Sequence, residues 1–419
     1  MKANESIEKY PARVREYTNY AIKSVKNVAK LSGPRPVGGE GDAKAREYFK
    51  ADMAKFCDEY REEPFKCSDK AFMSWVPIGI VLLVLATVFF IFGMPVVSLG
   101  LTVLNVLFIV LEFFLYKPIL DVFFKKKESA NIIGIRKASG ETKKRIILSG
   151  HTDSAFEWTY TYHGGRPMVA TTMVGAVISV LVSIASAVVA IIQTGAFSPS
   201  VVFVNDNTVS IVFAVVMLAL LPLQVVTFFF TNYKKPVVGA NDDLTGCFIS
   251  LAVAKFLTDN DIRFENTEVQ VLLAGGEEAG LRGSKAYVKA HKDELCDDSV
   301  ETVFVSVDTI RDFDFMKIID QDLNGLVKND KRVVELIKEG ASTAGYGEVE
   351  SGVISLGSTD AAAFSQAKVP AATFIAMDPT SARYYHTRLD TEENLDPKTI
   401  EAGVKIALET TFLFDEKGI

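Results

Sequence analysis

Cysteine is scarce in this chain. Its 419 residues hold four, at Cys57, Cys67, Cys247 and Cys296, with no CxxC pair among them. That scatter excludes a disulfide-dense scaffold and requires no oxidising compartment. Positive charge is not in excess either: 45 Lys and Arg against 52 Asp and Glu leave a net charge of −7. The balance argues against nucleic acid as a partner. The first twenty residues, MKANESIEKYPARVREYTNY, lack an apolar core and do not read as a signal peptide. Low-complexity tracts and soluble-domain repeats are also missing. Apolar residues, in contrast, are plentiful. The chain is 49% hydrophobic and 23% charged, with mean hydropathy +0.21. This rules out a disordered or collagen-like chain and is unusual for a soluble enzyme. At about 150 residues per domain, the length allows two or three domains.

The hydropathy is concentrated. No Asp, Glu, Lys or Arg occurs from Ala71 to Leu111, from Pro167 to Asn205, or from Asn207 to Tyr233. A membrane-crossing helix needs about 20 mostly apolar residues. The first run, broken by Gly93-Met94-Pro95, predicts spans at about 73–92 and 96–116. The second region predicts spans at about 169–193 and 208–231, joined by the turn-rich loop TGAFSPSVVFVNDN. Pro77 and Pro222 fall inside spans, where membranes tolerate them. Basic residues crowd one side of these spans: Arg61, Lys66, Lys70, Lys117, Lys125, Lys126, Lys127, Arg166, Lys234 and Lys235. The two loops on the other side have no Lys or Arg. The asymmetry predicts an integral membrane protein with four spans, both termini and all hydrophilic parts being cytoplasmic. The run Lys125-Lys126-Lys127 serves that topology, and Glu112 is placed to snorkel to the interface.

Each hairpin leaves and re-enters on one face, so each reads as an insertion into a discontinuous cytoplasmic domain made of 1–68, 129–157 and 236–419. The hairpins themselves are 69–128 and 158–235. About 280 residues remain, a size common for one α/β enzyme. Residues 4–31, 41–60, 245–258 and 283–291 read as helices. SANIIGIRK, KRIILSGH, EVQVLLAG, ETVFVSVD and PAATFIAM read as strands, mostly buried. Strands alternating with helices predict an α/β fold with a mixed, mostly parallel sheet and helices on both faces.

In open α/β sheets, ligands bind beyond the carboxyl ends of the strands. The chemically active residues fall there. His151 and Asp153 follow RIILSG, Glu277 and Glu278 follow VQVLLAGG, and Asp308 follows TVFVSV. Asp242 lies in the turn GANDDLTG before a helix, and His386 lies in YYHTRLDT. Histidine with carboxylates suits zinc, with an open position left for water. Five such ligands hold two ions if one carboxylate bridges. A further carboxylate can serve as general base, and an Asp two residues after a ligand His can fix its tautomer.

These motifs resemble the di-zinc aminopeptidase family, metallopeptidase family 28, which also includes glutamate carboxypeptidases, glutaminyl cyclases and an inactive receptor. The likeness rests on HTD at 151–153, GANDDLTG at 239–246, EEAGLRGS at 277–284, SVDTI at 306–310 and YHTRLDT at 385–391. It spans about 25–415 without the hairpins. GSTDAAAF at 357–364 departs from the family, with Ala361 at a position usually held by His. The resemblance implies a zinc-exopeptidase type of fold and two Zn2+ per chain. It implies that Asp242 bridges, that His151 and Asp308 complete one site, and that Glu278 and His386 complete the other. It further implies that Glu277 is the catalytic base and that Asp153 orients His151. His163 and His291 match no motif. Cys247, near the Asp242 turn, reads as a packing residue.

The implied activity is a membrane-integrated zinc aminopeptidase acting on peptide or protein N-termini. A carboxypeptidase, a glutaminyl cyclase and an inactive membrane receptor are the alternatives. Tyr233 precedes Asp242 by nine residues, and an extended chain spans at most about 3.3–3.6 Å per residue. The implied metal site is therefore expected within roughly 30–35 Å of the membrane face, which would suit membrane-proximal substrates.

Overall fold

A computed structural model describes residues 2–194, 207–380 and 382–419. Along the chain, Tyr10–Ser32 (α1) carries Pro11 in its first turn and stops at Gly33, which has φ +59°. Its Val14, Tyr17, Ala21, Val25 and Val28, spaced three or four apart, form the buried face. Glu40–Phe56 (α2) has Glu40 and Asp42 in its first turn, where the helix dipole favours acids. The strand Glu59–Cys67 (β1) follows. Then come the apolar helices Trp75–Ile91 (α3) and Pro95–Phe108 (α4), the latter extended by a wide turn, Ile109–Phe114.

Strands Lys127–Arg136 (β2), Lys144–His151 (β3) and Phe156–Trp158 (β4) lead into Thr159–Thr194 (α5). Thr208–Phe228 (α6) is capped by Asn207, whose side chain accepts from the Val209 and Ser210 amides. Next are Thr231–Pro236 (β5), Thr245–Asp259 (α7), Thr267–Ala274 (β6), Arg282–Ala290 (α8) and Lys292–Leu295 (α9). The remainder is Glu301–Ile310 (β7), Met316–Asp322 (β8), Val327–Lys328 (β9), Lys331–Thr343 (α10), Glu350–Val353 (β10), Ala361–Gln366 (α11), Ala371–Ala376 (β11) and Pro397–Lys417 (α12).

The chain divides into two compact units. One comprises Met1–Asp69, Lys126–Phe156 and Lys235–Ile419; the other comprises Lys70–Lys125 and Glu157–Lys234. In the first, eight strands run in the order β1-β2-β6-β3-β7-β11-β8-β10, with β9 added to β8. The central β6, β3, β7 and β11 are mutually parallel, while β1, β2 and β8 introduce antiparallel pairs. The result is a mixed sheet with a parallel centre. Successive strand residues face opposite sides, and the core follows that alternation. Ile132, Ile146, Leu148, Val271 and Leu273 pack on one face with α1, α2, α7 and α12. Ile133, Ile147 and Leu272 pack on the other with Tyr287, Val288, Leu295 and Phe364.

Both departures of the chain from this unit begin and end at neighbouring backbones. Cys67 on β1 is the register partner of Lys127 on β2. The Val237 amide donates to the Ala155 carbonyl at 2.9 Å. Each insertion therefore bridges a gap that a short turn could close, and the sheet keeps its register.

The second unit contains four helices long and apolar enough to cross a membrane: Phe72–Ile91, Pro95–Phe114, Thr159–Gln193 and Thr208–Phe228. Its polarity is reversed relative to a water-soluble bundle. Val177, Leu181, Ile192, Val212 and Val215 are exposed, whereas Ser98, Thr102, Ser179, Ser183, Ser186 and Ser210 are buried. The Thr102 and Ser183 hydroxyls hydrogen-bond at 2.6 Å between α4 and α5. Small polar residues at helix contacts and branched aliphatics outside are the pattern that lipid selects.

Two local expectations change. The helix expected at 41–60 ends at Phe56, and Glu59–Cys67 is a strand at the sheet edge. Pro64 is tolerated there because an edge strand has one free side. The helical stretch that begins at Thr159 is broken at Gly165 (φ +61°), so the long apolar helix starts beside Pro167, close to the expected 169. The fourth apolar helix ends at Phe228, and Thr231–Pro236 pairs with β4. The loop expected between these two helices lies at 195–206, outside the described residues.

Phe248 anchors the main core, fully buried, with its ring centroid 5.2 Å from that of Phe49 and 5.9 Å from that of Tyr48. Replacing Phe248 by Ala is expected to destabilise the protein by about 3–5 kcal/mol, read as a fall in the thermal unfolding midpoint of the detergent-purified chain.

Candidate metal centre

The parallel centre of the sheet brings like ends together. β3 ends at His151, β6 ends just before Glu277 and Glu278, and β7 carries Asp308 near its end. The loop after β11 delivers His386, and the turn Ala240–Leu244 before α7 delivers Asp242. Gly246 permits α7 to start against β7: a Cβ there would meet the Val307 carbonyl oxygen at 1.9 Å.

Ligand atoms of His151, Asp242 and Asp308 lie within 4.8 Å of one another, as do those of Asp242, Glu278 and His386. The two triads share Asp242. His151 Nε2 lies 3.0 Å from Asp242 Oδ1. His386 Nε2 lies 3.2 Å from Asp242 Oδ2 and 3.1 Å from Glu278 Oε1. Glu277 stands beside the first triad, its Oε2 4.0 Å from His151 Nε2. Asp153 lies with its Oδ1 3.6 Å from His151 Nδ1. It also accepts from the Glu277 amide at 3.0 Å and the Glu278 amide at 3.1 Å. One carboxylate thus ties the His151 loop to the Glu277-Glu278 turn.

Four acids and a tyrosine that sequence reasoning did not single out complete the surroundings; one of the acids is Asp322, which braces the 357–360 loop. Asp243, joined to Asp242 by a cis peptide bond, accepts from the amides of His151 (3.1 Å), Gly246 (2.9 Å) and Thr309 (3.2 Å). Asp390 accepts from the Asn241 amide (2.8 Å), the Asn241 side chain (2.7 Å) and the Asp242 amide (3.1 Å). Asp360 accepts from the Ser284 hydroxyl. Its loop is held by Asp322, which accepts from the Thr359 amide at 3.0 Å. Tyr385 stacks on His386 with ring centroids 3.9 Å apart. Asp390 and Tyr385 lie within YHTRLDT and Asp360 within GSTDAAAF, so motif membership was their signal. Cys247 donates its thiol to the His151 carbonyl at 3.1 Å, which supports the loop through packing and one weak bond. His291 sits elsewhere, its ring nitrogens 2.9 Å from Glu63 and 3.2 Å from Glu294.

Burial raises the Asp308 carboxyl to about 7, His151 opposing and Asp242 adding to the shift. Burial also raises Asp360 to about 6 and holds Glu277 well above the carboxylate range. Asp242 goes the other way: burial would lift it, but hydrogen bonds to His151 and His386 carry it below the usual range. Burial works against His386, yet Glu278 and Asp242 raise it to about 10. Tyr385 is held well above the phenol range by burial and by Asp242, Glu278, Glu277 and Asp308.

The arrangement concentrates negative charge that two imidazoles cannot neutralise. Among the described residues, His151 and His386 are the histidines beside Asp242, Glu277, Glu278, Asp308 and Asp360. Imidazole nitrogens with carboxylate oxygens are a zinc donor set, and the atoms are close enough for each triad to hold one divalent ion.

Residues 225–411 match the sequence profile of Peptidase family M28. That segment includes Asp242, Glu277, Glu278, Asp308 and His386; His151 and Asp153 precede it. The family likeness is carried by residues 225–411, and the fold is similar to that of a Zn-dependent exopeptidase. No curated protein sequence matches the chain closely enough to add a relative. Among solved structures, the chain is similar to a glutaminyl cyclase from an Acidobacteriales bacterium, with 14% identity, 96% of each chain covered and a TM-score of 0.55. It is similar to a zinc aminopeptidase from Bacillus subtilis, with 14% identity, 94% of each chain and a TM-score of 0.55. A Zn-dependent exopeptidase from Parabacteroides distasonis gives 15% identity, 94% of this chain, 97% of that one and a TM-score of 0.54. These likenesses are likenesses of fold.

Replacing Asp390 by Ala leaves the Asn241 and Asp242 amides without their acceptor. The expected loss is about 1–3 kcal/mol of stability, measured by thermal unfolding of the metal-free protein.

Proposed function

We propose that the chain is a membrane-integrated metallo-aminopeptidase that removes N-terminal residues from peptides. The observation that carries the reading is the pair of ligand triads sharing Asp242, with Glu277 beside them, near His151 and Glu278. In this reading His151, Asp242 and Asp308 would hold one zinc ion, and Asp242, Glu278 and His386 the other. When bound, the two ions supply Lewis acidity, easing ionisation of water and withdrawing electron density from a carbonyl.

The chain's own residues do the rest. Glu277 accepts a proton from the attacking water as its oxygen joins the scissile carbon, and returns that proton to the departing amine nitrogen as the C–N bond breaks. Asp153, held by the Glu277 and Glu278 amides, fixes the His151 ring and the general base in one frame. Tyr385 stays protonated among the acids and donates its hydroxyl hydrogen to the oxygen on which negative charge develops.

Four apolar helices and the Lys and Arg asymmetry at their ends support membrane integration, with both termini and the peptidase unit cytoplasmic. Membrane-proximal peptide or protein N-termini are the proposed substrates. A second reading, glutaminyl cyclisation, is favoured by one observation: the fold matches glutaminyl cyclases as closely as aminopeptidases. Zinc content separates the two, since a single zinc suffices for the cyclase.

Detergent-purified protein is expected to carry about two zinc ions per chain and to hydrolyse a subset of amino-acid 4-nitroanilides, with activity lost on chelation and restored by zinc. Glu277→Gln should keep its zinc and lose about 10²–10⁴-fold in kcat. One zinc with cyclisation of N-terminal glutamine would replace the aminopeptidase reading, and no zinc would remove both. Tyr385→Phe should lower kcat by about 10²–10³-fold with little change in KM, measured on the same substrates.

A further inference from the structure

Arg35 has no part in the chemistry above, yet it is among the largest fully buried side chains in the molecule. A buried guanidinium is expensive unless its donors are met. Here each of the three guanidinium nitrogens meets a main-chain carbonyl near the site. Nε donates to Thr152 at 2.6 Å, Nη1 to Val238 at 2.6 Å and Nη2 to Gly239 at 2.9 Å. Thr152 lies between His151 and Asp153, and Gly239 lies three residues before Asp242. The backbone of Arg35 adds a second strap: its amide donates to Ser154 Oγ at 2.8 Å, and that hydroxyl donates to the Val237 carbonyl at 2.8 Å. The fork fills its space closely. A Cβ on Gly239, which has φ +62°, would lie 3.4 Å from Arg35 Nη2 and 2.4 Å from the Asp242 carbonyl oxygen. The charge sits in the field of Asp153, Asp390 and Asp42, with carbonyl dipoles as its direct partners.

We infer that Arg35 is a positioning residue that fixes the spacing between the His151 loop and the Asp242 turn, and so sets the grip of the first triad on its ion. The inference rests on the metal reading above. A planar fork can hold three carbonyls on two segments in a fixed geometry. A lysine ammonium carries the same charge but offers a single point donor.

The test uses the full-length protein and zinc alone. Arg35→Lys is expected to fold, with a zinc-free unfolding midpoint near wild type. Its zinc affinity by chelator competition should fall about 10–100-fold, the visible spectrum of its cobalt form should change, and kcat should fall with KM retained. Wild-type zinc affinity and cobalt spectrum in a folded Arg35→Lys would overturn the inference. If that variant does not fold, Ser154→Ala loosens the same strap without touching the charge. Weaker zinc binding with an unchanged zinc-free midpoint then supports the inference, and unchanged zinc binding sinks it. Wild type that takes up no zinc overturns both this inference and the metal reading, whereas wild type with zinc and an indifferent Arg35 overturns this inference alone.

Discussion

Acidic groups forced together away from water set the terms for the sheet-bearing unit. Glu278, Asp308, Glu277 and Asp360 converge with Asp242 where parallel strands end, and burial disfavours the charge on each of these four. The surroundings answer with donors. Asp243, Asp390 and Asp153 each accept from two or three main-chain amides, which makes them joints between segments. His151 and His386 lean on Asp242 from its two sides. The remaining carboxylates, together with the two imidazoles, are the donor set on which the proposed cation site rests.

The same constraint explains the local backbone. A strand that must end in a ligand, and a helix that must begin beside another strand, leave no room for side chains between them. Gly246 supplies that room under α7. The joints are all short-range in space and long-range in sequence: Asp390 with Asn241, Asp243 with Thr309, Asp153 with Glu277. The site is therefore assembled only when the sheet is.

The helical insertions are compatible with such a site because they leave and return through adjacent backbones, at Cys67 and Lys127 and at Ala155 and Val237. The sheet register on either side is indifferent to what lies between. This also accounts for the recognisable segment starting at residue 225: the ligand-bearing turns after the second insertion are continuous in sequence, while His151 is cut off from them by it.

Much of this was legible in the sequence. Apolar runs of membrane length, the α/β alternation and the strand-end acids and histidines are local signals, because hydrophobic period and strand-end position are properties of short windows. Strand β1 was not legible, since EYREEPF at a sheet edge is mostly polar and looks like the end of a helix. Nor was the short helical stretch from Thr159, which Gly165 separates from the apolar helix behind it. The roles of Asp243 and Arg35 were invisible for a different reason. Aspartate beside aspartate and a lone arginine before a proline carry no pattern. Their meaning lies in carbonyls and amides supplied by segments up to some two hundred residues away. The sequence by itself determined which residue types reach the strand ends. Only the tertiary structure decided which of them share an ion-sized space and which brace the backbone, because that depends on strand order and on contacts between distant loops.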